Sequence, residues 1–256
     1  MEEATQMPEH GDFATVVRQK VLEGMPGPRH AFRRKVLEGR ATRADLAVFA
    51  VQTYHRNLYS SRFASANHAR CPDPEIRRAL LKVASEEELS APGAPPSHAE
   101  LMVRFAMALG LARDDVVNAR PLPSTRAFVD TIMQLSQGHW LEGMAFRASE
   151  LGVPRSAARW YDALQQHYGL PPHAVAWWSA HAVDDVAHGN IALEAYGRWA
   201  RDPSTQALAL QAIDRMLAAW WVFFDGIERG SEAAYRGDDV GFPVPAPAAW
   251  PGPVGS

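Results

Sequence analysis

The sequence holds 256 residues, 47% of them apolar, with a net charge of −3 and a single cysteine. That is enough apolar material for one sizeable core, while no basic run marks a nucleic-acid footprint and no run of about 18 apolar residues marks a membrane span. The lone Cys71 excludes a disulfide framework and a CxxC metal site, and the acidic, polar start lacks the character of a secretory or transit leader, so a cytoplasmic protein is expected.

Residues 1–12 read as a flexible N-terminus and residues 13–236 as one helical domain. Thr42 and Asp45 form a capping box, followed by a stripe of Leu46, Phe49, Ala50, Tyr54 and Leu58. Cys71-Pro-Asp-Pro74 breaks the chain before a helix expected from about Glu75 to Leu89. Ser90 to Ser97 is a Gly/Pro loop, and a mobile edge is expected there. Ser97 with Glu100 caps the next helix, which carries Leu101, Phe105 and Leu109 and stops at Gly110. One helix is expected from Ser124 to about Glu150, and Pro154 sits just inside the next. Gly169-Leu-Pro-Pro172 opens the helix carrying His181 to His188. Asp202-Pro203 opens the last, with Leu208, Ile213, Leu217, Trp220, Phe224 and Ile227 facing inward. No strand alternation or internal repeat is visible, and residues 237–256 read as a disordered Pro/Gly-rich tail. The expectation is an all-α bundle of about seven to eight helices.

The pattern with chemical content is His181-x3-Asp185-x2-His188. Positions i, i+4 and i+7 fall within roughly 60° of one another on a helix, so the three side chains share one face. Two imidazoles and a carboxylate suit a first-row metal; the same pattern on a solvated polar face would hold none. The apolar flanks Val175, Trp177, Trp178 and Ile191 favour burial, and buried charge needs partners or a metal. Two more places can complete such a site. One is Glu86-Glu87-Glu88, three acids poorly placed against a helix C-terminus, followed by His98. The other is Glu150, at the end of a mostly apolar helix. Carboxylates and histidines converging from several helices are how bundles build di-iron centres.

These residues resemble the haem-oxygenase-like family of di-iron oxidases and oxygenases over about Arg29 to Phe224. The motifs that carry the resemblance are Ala66-Asn-His-Ala-Arg-Cys71, the acidic segment leading to His98-Ala-Glu-Leu101, Ala108-Leu-Gly110, the Glu150-to-Pro154 turn and H-x3-D-x2-H. The resemblance implies a haem-oxygenase-like bundle with Glu87, His98, Glu150, His181, Asp185 and His188 as ligands to two irons per chain; Glu88 replaces Glu87 if the register shifts. Manganese suits the same donors.

The activity so implied is oxidation of a small metabolite, an amino acid or amine, by dioxygen in a biosynthetic pathway, with an external electron donor and a homodimeric assembly. Desaturation or C–C cleavage is the alternative outcome. A cofactor-free oxidase of the quinone-cofactor pathway and a thiaminase-type hydrolase share the fold; the first does without six ligands and the second needs a cysteine placed differently from Cys71. A haem enzyme would need a proximal histidine such as His30, which reads instead as a surface or helix-start residue. A chlamydial member of the family consumes part of its own chain through a tyrosine and a lysine. Arg33 and Trp160 stand at the matching positions here, so no such reaction is expected. Arg147, three residues before Glu150, is a candidate anchor for a substrate carboxylate, and Tyr54 a candidate cavity residue. The paired tryptophans, Trp177-Trp178 and Trp220-Trp221, are expected in the core or at a dimer contact.

Overall fold

Helical periodicity becomes twelve α-helices and one 3-10 turn, with no strand among the described residues. The computed structural model describes residues 10–89 and 96–246, with backbone alone for residues 10–12 and 183–187. Residues 1–9, the loop residues 90–95 and residues 247–256 lie outside the described residues, and with them most of the expected flexible start, mobile edge and disordered tail.

The elements are α1 (His10–Gly24), α2 (Ala31–Leu37), α3 (Arg43–Asn57), α4 (Ser60–Arg70), α5 (Pro74–Glu88) and α6 (His98–Ala108). They continue with α7 (Arg113–Val117), α8 (Pro123–Gln137), α9 (Trp140–Ser149), the 3-10 turn Glu150–Gly152, α10 (Val153–Gln166), α11 (Ala176–Trp199) and α12 (Pro203–Tyr235). The starts follow their caps. Thr42 Oγ1 accepts the Asp45 N–H while Asp45 accepts the Thr42 N–H, closing the predicted box on α3. Ser97 Oγ accepts the Glu100 N–H at the head of α6, and Asp202 Oδ1 accepts from Ser204 and Thr205 at the head of α12.

Two boundaries differ from the sequence reading. The helix expected from Ser124 to Glu150 is broken between α8 and α9. Gly138 leaves helical geometry there, and His139 caps α9 with its own box, Glu142 reaching back 2.7 Å to the His139 N–H. The helix with the His/Asp/His motif begins at Ala176, so Gly169-Leu-Pro-Pro172 belongs to the preceding connection.

Helix α12 is the spine, packed on α3, α8 and α9. Ile213, Leu217, Trp220, Phe224 and Ile227 are buried as expected, whereas Leu208 is only half-buried. On α3, Leu58 is 41% exposed, because the helix ends at Asn57 and the stripe ends with it. By length and composition α12 could also cross a membrane; in this fold its apolar residues fill the core. The start of the expected disordered tail is docked: Val240 and Phe242 are buried, and the Arg120 N–H donates to the Gly241 carbonyl. Gly241 sits at φ +92° with the Arg120 backbone so close that a Cβ would meet it at 2.7 Å, an approach open only to glycine. Helix α11 packs on α1, α9 and α10 and also reaches α5, α6 and the 3-10 turn. Where those elements meet, the candidate residues come together.

Candidate metal centre

Helix α5 turns an apolar stripe inward at Ile76, Leu80 and Val83, and the next position on that stripe is Glu87. Glu87 is therefore buried and Glu88 exposed. A buried carboxylate needs compensation, and Glu87 finds it in His98, whose Nδ1 lies 2.7 Å from Glu87 Oε2. His98 opens α6, and its carbonyl accepts from Asn57 Nδ2 at 3.1 Å, which ties this turn to α3. Burial alone would raise the Glu87 pKa; the charge and hydrogen bond of His98, joined by Arg147 and His181, outweigh it and hold the carboxyl well below the usual range.

The His98 ring lies 4.3 Å from that of His181, centroid to centroid, which brings α6 and α11 to one point. His181 stacks on Trp177 at 3.6 Å and its Nδ1 lies 2.8 Å from the Trp177 carbonyl, one turn back. A carbonyl can only accept, so Nδ1 carries a proton and the ring is oriented with Nε2 on its other side.

Farther along α11, His188 Nδ1 lies 3.8 Å from Glu150 Oε2 and its Nε2 lies 2.9 Å from Glu86 Oε2. Glu150, at the start of the 3-10 turn, is paired at 3.0 Å with Arg147 Nη1, and both are buried. The turn and α11 approach closely at Gly189, where a Cβ would stand 2.9 Å from the Leu151 nitrogen. Asp185 lies between His181 and His188 on α11, and its side chain lies outside the described residues.

Five predicted residues, Glu87, His98, Glu150, His181 and His188, thus converge from four elements. Glu86 joins them unpredicted. The sequence offered it only as one of three acids at the end of α5, and its only sequence signal is its place one residue before the buried position.

Glu87, Glu150 and His181 also line one end of a cavity of about 620 Å³. Phe49, Trp160, Trp177, Trp178, Trp220 and Phe224 form its walls. So three of the four paired tryptophans serve the cavity; the fourth, Trp221, donates to the Gly24 carbonyl. Helix α3 faces the cavity with Phe49, Thr53 and Arg56, at helical spacing. Tyr54 is one position off that face and does not line the cavity, contrary to expectation; it is half-buried beside Glu100 and Arg113, and burial raises its hydroxyl pKa. Arg147 is also absent from the lining, because its charge is engaged by Glu150 inside the protein. It is a partner of a ligand candidate.

The donor set fits iron. It consists of buried imidazoles and carboxylates, and each histidine has one ring nitrogen held by a named acceptor, an arrangement that aims the other. The rival sites fit less well. His30 caps α2 from a buried position, not a surface one; its Nδ1 accepts the Phe32 N–H and its Nε2 donates to Asp225, so neither nitrogen is available to a haem iron. Asp225 and Glu228 do bring ligand atoms within 4.8 Å of His30, and the Asp225 contact is that same hydrogen bond. Cys71 is buried, donates to the Asp73 carbonyl and has its thiol pKa raised by burial, the reverse of an activated nucleophile.

Comparison with known proteins bears on the family and the fold. A family model described as "iron-containing redox enzyme" matches residues 47–221. The chain is 30% identical to a 4-aminobenzoate synthase of Nitrosomonas europaea, over 78% of this chain and 84% of that one. It is 28% identical to a pyrroloquinoline-quinone synthase of Ectopseudomonas mendocina, over 79% and 82%. A Shewanella denitrificans domain of unknown function with a haem-oxygenase-like fold superimposes with a TM-score of 0.71 at 18% identity, covering 89% of this chain and 94% of that one. The fold expected from the resemblance is the fold found.

Proposed function

The chain belongs to the family of iron-containing redox enzymes, and from that premise we propose that it is a non-haem di-iron oxygenase or oxidase acting on a small metabolite, an amino acid or amine, with dioxygen. One observation carries this reading: buried carboxylates and imidazoles from α5, α6, α11 and the Glu150 turn converge beside an aromatic-walled cavity. Glu87, His98, Glu150, His181 and His188 would hold the metal, with Asp185 completing the set. Iron bound there supplies dioxygen activation, and electrons that the substrate does not provide come from an external donor.

The chain's own residues do the rest. Trp177 orients His181 through its carbonyl, and Glu86 orients His188. A carboxylate behind a ligating imidazole fixes its tautomer and raises its basicity. Arg147 holds one oxygen of Glu150 and leaves the other toward His188. The tryptophan and phenylalanine walls exclude bulk water, which protects reactive species and strengthens electrostatic contacts with the substrate. Because Glu87, Glu150 and His181 line the cavity, substrate held there would meet the metal from that side.

The test is turnover. Iron-loaded chain is mixed with a panel of amino acids and amines while oxygen and substrate are followed together. One class should be consumed in fixed proportion to oxygen, and His181→Ala should cut the rate by at least about 100-fold, the upper range for disturbing a metal site. Oxygen uptake no faster than that of free ferrous iron, with no substrate lost, would contradict the proposal.

A further inference from the structure

The other end of the cavity carries charge that the metal centre does not use. Arg33, half-buried on α2, has its guanidinium carbon 4.9 Å from the Phe224 ring centroid and 5.6 Å from that of Trp160. Its Nη2 donates to Ser156 Oγ, while its buried Nε meets no acceptor. Among the described residues no carboxylate pairs with it. Burial, and after it the neighbouring charge of Arg159, lowers the Arg33 pKa to about 10, so the group stays cationic at neutral pH. Arg155 and Arg159, one turn apart on α10, are exposed lining residues on the same side. The only acids in the lining, Glu87 and Glu150, are at the metal end.

A guanidinium taken out of water without a counter-charge is costly, and its planar fork suits a carboxylate. The wall between the two ends is aromatic: Phe49 stacks near Trp160 at 4.9 Å and Trp178 at 6.1 Å. Along α3, Phe49 and Arg56 are both lining residues seven positions apart, so that wall alone runs roughly 10 Å. A cationic amine would meet repulsion at Arg33 and gain no compensating acid there.

We propose that the cavity takes a small carboxylic acid with an aromatic or extended apolar body, its carboxylate on Arg33, its body against Phe49, Trp160 and Trp178, and its far end presented to Glu87, Glu150 and His181. This rests on the metal-centre reading only for what happens at that far end; the binding itself needs no metal. Within the amino acid or amine class, it selects the acids and excludes simple amines.

The test is a calorimetric titration of the metal-free full-length chain with 4-phenylbutyrate, 4-phenylbutan-1-ol and 4-phenylbutylamine, which share one body. The acid should bind at least about tenfold tighter than the alcohol, the order expected of a charge-assisted hydrogen bond, and the amine weakest of all. Arg33→Gln should bring acid and alcohol within about threefold of each other while the alcohol keeps its affinity, which reports an intact cavity. Arg33→Lys, which keeps the charge without the fork, should restore part of the preference. Equal binding of acid and alcohol to the unaltered chain, a preference for the amine, no binding of the acid, or a preference that survives Arg33→Gln would each overturn the proposal. A chain that fails to bind iron but keeps the acid preference defeats the metal reading alone. A chain that binds iron without the preference defeats this one alone.

Discussion

Glu86 shows how much a single unassuming residue can carry. Its Oε2 is 2.9 Å from His188 Nε2, and its side chain is 37% exposed. Removing the charge should loosen the metal without unfolding the chain. Glu86→Gln is expected to weaken iron binding by about 10–100-fold in a chelator competition, with the melting temperature of the metal-free protein nearly unchanged; unchanged affinity would remove Glu86 from the centre. Arg147 should behave in the opposite way. It and Glu150 are almost wholly buried, so Arg147→Met deprives a buried carboxylate of its nearest cation. Denaturant unfolding should show a loss of about 3–5 kcal/mol in the metal-free protein, and added iron should restore part of it by supplying the missing positive charge. A loss that iron does not touch would place Arg147 outside the metal's reach.

At the scale of elements, the positions of the candidate ligands Glu150 and His188 depend on how closely α11 approaches the Glu150 turn. A methyl group at Gly189 would meet the Leu151 backbone at 2.9 and 3.0 Å, and backbone cannot rotate away. Gly189→Ala should therefore push Glu150 and His188 apart, destabilise the fold by about 1–3 kcal/mol and lower the iron content. Gly197→Ala, on the same helix with its nearest neighbour at 3.9 Å, should be silent in both assays.

The same scale shows which parts of the structure were readable from sequence. Caps are local, so the Thr42–Asp45 and Ser97–Glu100 boxes could be read directly. The His181-to-His188 face could also be read, because helical spacing alone fixes it. The break at Gly138–His139 was hidden, since a histidine cap is a weak signal beside a long apolar run. Choosing Glu87 over Glu88 required continuing the Ile76–Leu80–Val83 stripe one more step. Tyr54 was misplaced by one position, about 100° of helix, because its apolar stripe and the cavity face of α3 are neighbours rather than the same. Arg33 is a property of α2, α10 and α12 together, and no local pattern in the sequence joins them.

For the whole molecule, the fold brings elements distant in sequence to a single site, and a metal bound there would be coupled to stability. A metal that binds only the native chain stabilises it by about 2.7 kcal/mol at a hundred times its dissociation constant. Ferrous iron should therefore raise the melting temperature in a concentration-dependent way, and manganese, which suits the same donors, should do so too. A melting temperature that ignores both metals would mean that the cluster is satisfied by its internal ion pairs. The family resemblance and the bundle were visible in the sequence because ligand spacing and helical periodicity are both short-range. The cavity's charge distribution and the docked Val240 and Phe242 were not, because each depends on contacts across the full chain.

The most direct test of the central claim is a metal count. The full chain, loaded anaerobically with ferrous iron and freed of excess, should retain about two irons per chain, the stoichiometry of a paired carboxylate–histidine centre, and His181→Ala should lose them. Retention of none or one by the unaltered chain, or full retention by His181→Ala, would contradict the account.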